Sequence, residues 1–311
     1  MPRTQLSADQ ITDWLLESDP AIRWQVERDL LADPTVAIRT REQVSQTGWG
    51  ADLLARQDAA GTWANALYSP KWTSSTYTLL LLARFGLSPQ NQQARRGVAV
   101  LWQNAKCFDG GLTLAKSIKE PETCITAMLL QLSAIFGYQD QHVEPAVAWL
   151  LSQQLGDGGW NCETVRVGSQ HGSFHTTISV LEALLAYQQS GGNLTVQPAL
   201  EQGRAFFLAH QLYCSHRTGA VVDPAFTRFP FPPQWHFDVM RGLEHFMAAQ
   251  AQRDERLLPA IAAVRAKPRS DGRWPVFASY PGRYWFKMES GRGPGRWSTL
   301  RAVRALQWWD Q

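Results

Sequence analysis

The chain has 311 residues, 44% hydrophobic and 18% charged, the balance of an ordinary water-soluble globular protein. Its formal net charge of +3 is too small to indicate nucleic-acid binding. No apolar run approaches the roughly 20 residues that span a bilayer, and the N-terminus lacks the apolar core of a signal peptide. We therefore expect no transmembrane segment, and we expect the four cysteines in a reducing cytoplasm.

The N-terminal part of the chain is expected to cap a helical array. Residues 18–34, SDPAIRWQVERDLLADP, favour a helix whose role is structural. We divide the chain into N-terminal capping helices, residues 1–45, and a repeat domain, residues 46–311.

Turns that contain glycine, most of them together with tryptophan or another apolar residue, recur along the repeat domain. They lie about 50 residues apart, and the interval lengthens toward the C-terminus. The turns are Gln57–Trp63, Phe108–Leu112, Gln154–Trp160, His216–Gly219 and Pro268–Trp274. The chain contains 14 tryptophans, and those of the turns (Trp63, Trp160 and Trp274) are expected to be structural.

Each turn is followed by an apolar run with helical spacing, at i, i+3, i+4 and i+7. These runs open at Trp72, Glu122, His175, Trp235 and Trp297. Ser, Thr or Asp near each start is typical of helix N-termini. Further helical segments precede several turns, so each repeat is a pair of helices. The fold is predicted to be all-α, and both a linear solenoid and a closed ring fit such repeats.

The Gln…Asp-Gly-Gly-Trp turns resemble the QW-type repeats of the squalene cyclase and protein prenyltransferase β-subunit superfamily. The resemblance covers roughly residues 50–311. It implies an α/α toroid, in which inner and outer rings of helices surround a central cavity. The superfamily includes cyclases, prenyltransferases and non-enzymatic members, so the architecture alone does not choose a function.

The catalytic signatures of the superfamily separate these options. The chain has no Asp-x-Asp-Asp run, which protonates the substrate alkene in squalene-hopene-type cyclases, and no Asp-Asp-x-x-Asp run. Prenyltransferase β-subunits bind zinc through Asp-x-Cys and a later histidine, each at the start of an inner helix. Here Glu122–Thr123–Cys124 and His175 occupy similar places, although Glu replaces Asp and the histidine comes sooner.

A zinc site is the leading prediction from these residues. Zinc favours thiolate and imidazole ligands, and catalytic sites have three protein ligands with one open position. Cys124, Cys162 and His175 supply such a set, and Glu122 or His171 is a possible fourth ligand. An open fourth position would hold water or a substrate thiol. Alternatively, the cysteines are small buried apolar residues and the histidine caps a helix.

A second cluster, Trp235–His236–Phe237–Asp238, opens the next inner helix. His236 takes the place of His175 one repeat later, and an imidazole facing a cavity can act as a general acid–base. We predict His236 and Asp238 as catalytic residues. Alternatively, Asp238 caps the helix and His236 is packed in the core.

Other residues are candidates for holding substrate. Scattered arginines are often solvated, but several together can hold an anion such as a diphosphate. The cationic candidates are Arg217, Arg228, Arg241 and Lys287. Aromatic side chains can hold prenyl chains or stabilise carbocations, although at helical spacing they can equally be core. The aromatic candidates are Trp72, Tyr77 and Trp235.

Three functions fit these features. The favoured one is a zinc-dependent transferase or hydrolase acting on a small apolar or anionic substrate, with isoprenoids among the candidates. The second is a terpene-cyclase-like enzyme that uses Asp238 or another lone carboxylate as its acid. The third is a non-catalytic toroid that binds lipid or protein. The sequence indicates no particular protein partner.

Overall fold

A computed structural model describes residues 5–289 and 291–311, which are mainly helical. The α-helices are α1 (Ala8–Leu16), α2 (Pro20–Asp29), α3 (Pro34–Glu42), α4 (Gly48–Leu54), α5 (Ser75–Phe85), α6 (Gln92–Asn104), α7 (Thr123–Phe136), α8 (Val143–Ser152), α9 (Thr164–Val167), α10 (Phe174–Gln189), α11 (Gln197–Ala209), α12 (Val239–Ala248), α13 (Leu258–Arg265) and α14 (Arg296–Asp310). Strands β1 (Lys106–Phe108) and β2 (Gly111–Thr113) form one antiparallel hairpin.

Helices α5, α7, α10, α12 and α14 form an inner ring, each in contact with the next. Helices α4, α6, α8, α11 and α13 pack outside it. The ring closes between its first and last members, because Phe85 of α5 and Trp297 of α14 stack with centroids 5.9 Å apart. The predicted all-α toroid is therefore confirmed, and the linear solenoid is excluded.

The tryptophan turns join an outer helix to the following inner helix. The Trp160 indole donates to the Leu150 carbonyl of α8 at 2.7 Å, and the Trp160 backbone N–H donates to Thr177 Oγ1 of α10 at 2.9 Å. Trp63 and Trp274 make the same two bonds in their own repeats. The hydroxyl near each of these inner-helix starts thus accepts a hydrogen bond from the tryptophan backbone N–H of the turn. This bond explains why the turns and the helix starts recur together.

The glycines in these turns are required by their backbone geometry. Gly158 has φ = +85°, and a Cβ at this position would lie 2.5 Å from the Gln202 carbonyl oxygen. Only glycine avoids both the left-handed strain and the clash. The Gln154 side chain then spans the turn by donating to the carbonyls of Gly158 and Ala199.

The predicted N-terminal helix over 18–34 is found as α2, flanked by α1 and α3. Helix α2 packs against α14 and completes the closure of the ring, with Arg304 of α14 bonded to Asp29 at 2.8 Å. The predicted helix at Trp235 begins only at Val239, whereas the other four begin within about one turn of the predicted residue. The division into 1–45 and 46–311 remains a prediction. None of the described helices combines the length and apolarity that crossing a membrane requires.

Candidate functional site

Cys124 and Cys162 meet at one rim of the ring. Cys124 is the second residue of α7, and Cys162 lies in the loop that follows the Trp160 turn. The Cys124 backbone N–H donates to Cys162 Sγ at 3.0 Å, and the Cys162 N–H donates to Thr176 Oγ1 at 3.3 Å. Both cysteines are free and half-buried. Two ligands of the predicted zinc set are therefore neighbours.

The two thiols have different acidities because they are hydrogen-bonded to each other. This bond lowers the pKa of Cys162 and raises the pKa of Cys124. A bond from Thr176 and the Cys124 backbone N–H stabilise the Cys162 thiolate further. Glu122, beside them, accepts a bond from Thr113 Oγ1 at 2.5 Å, and burial raises its pKa. Cys162 is thus the more readily ionised thiol of the pair.

His175 faces away from the thiols. Its Nδ1 accepts the Phe237 backbone N–H at 2.8 Å, and its ring lies 5.1 Å from Trp235 and 5.8 Å from His236. Burial, with help from Arg241, lowers the pKa of His175 to about 4. The imidazole is therefore neutral at pH 7 and belongs to the second predicted cluster.

This geometry does not fit the predicted zinc site. Within residues 5–289 and 291–311, no three His, Cys, Asp or Glu side chains form a group that could hold a metal ion. Of the possible fourth ligands, Glu122 lies near the thiols, but His171 is exposed. Zinc binding therefore remains a prediction supported only by the paired thiols.

His236 lies at the centre of an aromatic cluster. Its ring is stacked between Trp235, with centroids 3.8 Å apart, and Tyr280, 3.6 Å apart. Trp72 is 6.0 Å from His236 and packs edge-on against Tyr77 at 4.8 Å. The aromatic candidates from the sequence therefore do come together, with Tyr280 added.

The histidine of this cluster is an available proton acceptor. Burial, and then the neighbouring His175 and Lys71, lower the pKa of His236 to about 4. Its Nδ1 is buried and has no hydrogen-bond partner among the described residues. At neutral pH this nitrogen can accept a proton from a strong carbon acid.

The carboxyl of Asp238 is fully buried beside the cluster. Asp238 caps α12, since its Oδ1 accepts the Arg241 backbone N–H at 2.9 Å. Its Oδ2 is buried without a partner in the described part of the chain. Burial raises the pKa of Asp238 to about 6, against the opposing charge of Arg301 at 3.9 Å. A carboxyl with this pKa is protonated in a useful fraction near neutral pH and can donate its proton.

The predicted cationic residues do not converge on one site. Arg217 and Arg228 are exposed. Arg241 is buried, but its Nε and Nη2 both donate to the Glu182 carboxylate at 2.8 Å. Together with Arg84, it lowers the pKa of Glu182 to about 2 despite burial. Arg241 is therefore a structural cation inside the ring, with its charge already neutralised by Glu182.

The ring is nearly filled on the side where Tyr77 and Arg241 face each other. The pocket there has a volume of about 10 Å³, at most the space of one water molecule. Its walls come from α5, α7 and α12 and from the segment that precedes α12. The lining residues include Tyr77, Met128, Pro232, Gln234 and Arg241. The segment 230–236, which contains Pro232 and Gln234, thus fills part of the space in which the sequence predicts a substrate cavity.

Two larger cavities are found among the described residues. One of about 310 Å³ lies within the ring, toward the C-terminal ends of the inner helices, and is lined by side chains of all five of them, including Glu182, Glu244 and Arg301. Arg301 pairs with Glu244 at 2.7 Å, so the charges here are largely compensated. The other, of about 850 Å³, lies outside the aromatic cluster against Tyr68 and the β-hairpin. The Tyr68 hydroxyl at this groove accepts a hydrogen bond from the Tyr77 hydroxyl at 3.0 Å.

Sequence reasoning missed several residues of this centre. Tyr280 lies in an irregular segment, SYPGRYW, where no periodicity marks it. Glu182 could have been found, because it is a lone charge in the apolar run ISVLEALL of a buried inner helix. Its buried position requires a cation, which Arg241 supplies.

Comparison with known proteins gives only distant structural likenesses. No family model and no curated protein matches the chain. A protein from Actinoplanes is 18% identical, with a TM-score of 0.49 over 94% of this chain and 91% of that one. The type II terpene cyclase MstE from Scytonema is 15% identical, with a TM-score of 0.47 over 95% and 86%. A variant of MstE in complex with geranylgeranyl dihydroxybenzoate gives 0.35 at 13% identity, over 86% and 96%. The function must therefore be inferred from this chain's own residues.

Proposed function

We propose that this protein is an acid–base enzyme in which Asp238 protonates an apolar, unsaturated substrate of isoprenoid type. The observation that carries the proposal is a buried carboxyl with a pKa of about 6 and a free Oδ2, placed beside an aromatic cluster. This is the second of the functions that the sequence allowed, and it needs no metal.

Each step of the proposed reaction is assigned to residues described above. Proton transfer from Asp238 to a carbon–carbon double bond leaves a carbocation and an aspartate. Arg301 stabilises the aspartate, and the faces of Trp72, Tyr77 and Tyr280 stabilise the cation. Loss of a proton from a neighbouring carbon to His236 Nδ1 then forms a new double bond. Solvent restores the proton of Asp238 and removes that of His236.

Substrate access requires a conformational change. The pocket of about 10 Å³ beside Tyr77 and Arg241 admits no isoprenoid chain. Pro232 and Gln234 line this pocket and lie outside any helix, so the part of the chain that precedes Trp235 is the element that we expect to move. The aromatic side chains behind it then line the opened cavity.

Deuterium incorporation tests the proposal directly. Full-length protein is incubated in deuterium oxide with squalene and with a geranylgeranyl-substituted phenol, and products are analysed by mass spectrometry. We expect an isomerised or cyclised product that carries solvent deuterium, with a rate that falls as pH rises through about 6, because only protonated Asp238 reacts.

Asp238→Asn is the matched variant, since asparagine keeps the helix cap but cannot donate a carboxyl proton. Asp33→Asn, at the exposed cap of α3, is the control. We expect activity to be lost only in Asp238→Asn. Full activity in that variant, or a product without deuterium, contradicts the proposal.

Zinc-dependent transfer or hydrolysis is the second candidate, favoured by one observation, the contact between Cys124 and Cys162. Metal analysis of untagged protein tests it. About one zinc per chain, lost in Cys124→Ala, supports this candidate.

A further inference from the structure

The paired thiols lie where a covalent bond between them needs little movement. Because the Cys124 nitrogen is 3.0 Å from Cys162 Sγ, the Cys124 Cα lies within about 4.5 Å of that sulfur. Disulfides join cysteines whose Cα atoms are roughly 4.4–6.8 Å apart, which this arrangement permits.

The surrounding backbone holds the pair in place. Cys162 is fixed to the start of α10 by its bond to Thr176, and the same loop is held by the bond from Ser173 N–H to the Trp160 carbonyl at 2.8 Å. Cys124 is fixed by α7. Both cysteines are partly exposed, so a small reagent can reach them.

We propose that Cys124 and Cys162 form a redox-responsive dithiol, which closes to an intramolecular disulfide by exchange with a small disulfide such as oxidised glutathione. The Cys162 thiolate attacks one sulfur of the reagent, whose S–S bond breaks and releases one thiolate. The Cys124 thiolate then attacks Cys162 Sγ and displaces the second. The two protein protons end on the two released thiols, so the protein loses two electrons and the reagent gains them.

Cys162 is the attacking sulfur because it accepts hydrogen bonds. The Cys124 N–H at the start of α7 points at Cys162 Sγ, and hydrogen bonds of this kind stabilise a thiolate. Cys124 is left to resolve the mixed disulfide. The other two cysteines serve as controls for the experiment below, because Cys107 is exposed and Cys214 is buried.

The bond ties the start of α7 to the loop before α10, next to the aromatic cluster. Tyr68 and Tyr77 lie near the pair, and burial, with smaller contributions from neighbours that include Cys124, raises the pKa of both phenols. Closure cross-links residues 124 and 162, and a loop of this size restricts the unfolded chain enough to raise Tm by about 6 °C. This inference is independent of the acid chemistry of Asp238.

The test uses chelator-treated, full-length protein exposed to oxidised glutathione or to dithiothreitol. Intact mass and non-reducing peptide maps should show a loss of about 2 Da, a Cys124–Cys162 cross-linked peptide and the Tm increase, all reversed by dithiothreitol. Cys107→Ser and Cys214→Ser should behave as wild type.

Two variants separate the roles of the sulfurs. Cys124→Ser should retain a stable glutathione adduct on Cys162, because the resolving thiol is gone. Cys162→Ser should form no cross-link. The proposal is overturned if wild-type protein shows no cross-linked peptide under conditions in which the exposed Cys107 is modified, a result that does not depend on how the variants fold.

Discussion

Replacing Asp238 with asparagine should make the protein more stable at pH 7 and leave its stability unchanged in acid. In the unfolded chain the carboxyl has its ordinary pKa of 3.8, whereas burial raises it to about 6 in the folded protein. The folded state therefore holds this proton more tightly. The stability that the neutral carboxyl contributes is complete below pH 3.8 and is lost as pH rises through 6.

The size of the effect follows from the two pKa values. The difference between 3.8 and about 6 corresponds to about 3 kcal/mol. The full value applies because Asp238 is 0% exposed. Asparagine is neutral at every pH and still accepts the Arg241 N–H as a helix cap. A gain of about 3 kcal/mol corresponds to a Tm increase of about 5 °C for a chain of this size.

Urea unfolding of wild type and Asp238→Asn, followed by circular dichroism from pH 3.5 to 8, measures this difference. Comparing the two proteins at each pH cancels the titration of all other groups. The free energies of unfolding should agree at pH 3.5 and diverge to about 3 kcal/mol by pH 7. The Asp33→Asn control should show a difference that does not vary in this way. A constant difference, or a less stable Asp238→Asn at pH 7, refutes the reasoning.

Three further outcomes are expected. Trp160→Phe should lower the free energy of unfolding by about 1–2 kcal/mol, because the Leu150 carbonyl loses its indole donor. The control Trp309→Phe, outside the turns, should change the free energy of unfolding by less. Equal effects of the two variants in chemical denaturation would contradict the role given to the turn. Arg241→Met should lower the free energy of unfolding by about 3–5 kcal/mol, because Glu182 stays buried without its bidentate partner. Adding Glu182→Gln to this variant should recover part of the lost stability. Strict additivity of the two substitutions in a double-mutant cycle would contradict the interaction. Metal analysis by mass spectrometry should find about one zinc per chain if the thiols bind it; absence of zinc from protein grown with added zinc removes that candidate.

The sequence determined the repeats because each turn repeats the same local chemistry. Trp160 and Gly158 are recognisable by residue type. Thr177, whose hydroxyl accepts the hydrogen bond from the Trp160 backbone N–H, follows the turn at a short distance along the chain. Such short-range bonds can be predicted from spacing. The sequence also indicated Trp72, Tyr77 and Trp235 as one aromatic group, because each stands near the start of an inner helix, and they gather around His236.

The tertiary structure decided which way the side chains at those helix starts project. Cys124 and His175 are both the second residue of an inner helix. Cys124 meets the loop before the next inner helix, at Cys162, and His175 likewise meets the loop before its own successor, at Phe237. Equivalent positions thus project forward around the ring, and the three predicted zinc ligands are divided between two neighbouring contacts.

The interior of the ring was also beyond the sequence. Its pattern marks the helices as buried on one face, but it does not show that segment 230–236 turns back into the central space. Nor does it show that Glu182 meets Arg241, since 59 residues separate them along the chain. The local sequence pattern determines the hydrogen bonds within a repeat. The environment and the pKa of a buried carboxyl such as Asp238 are instead determined by the packing of segments that are distant along the chain.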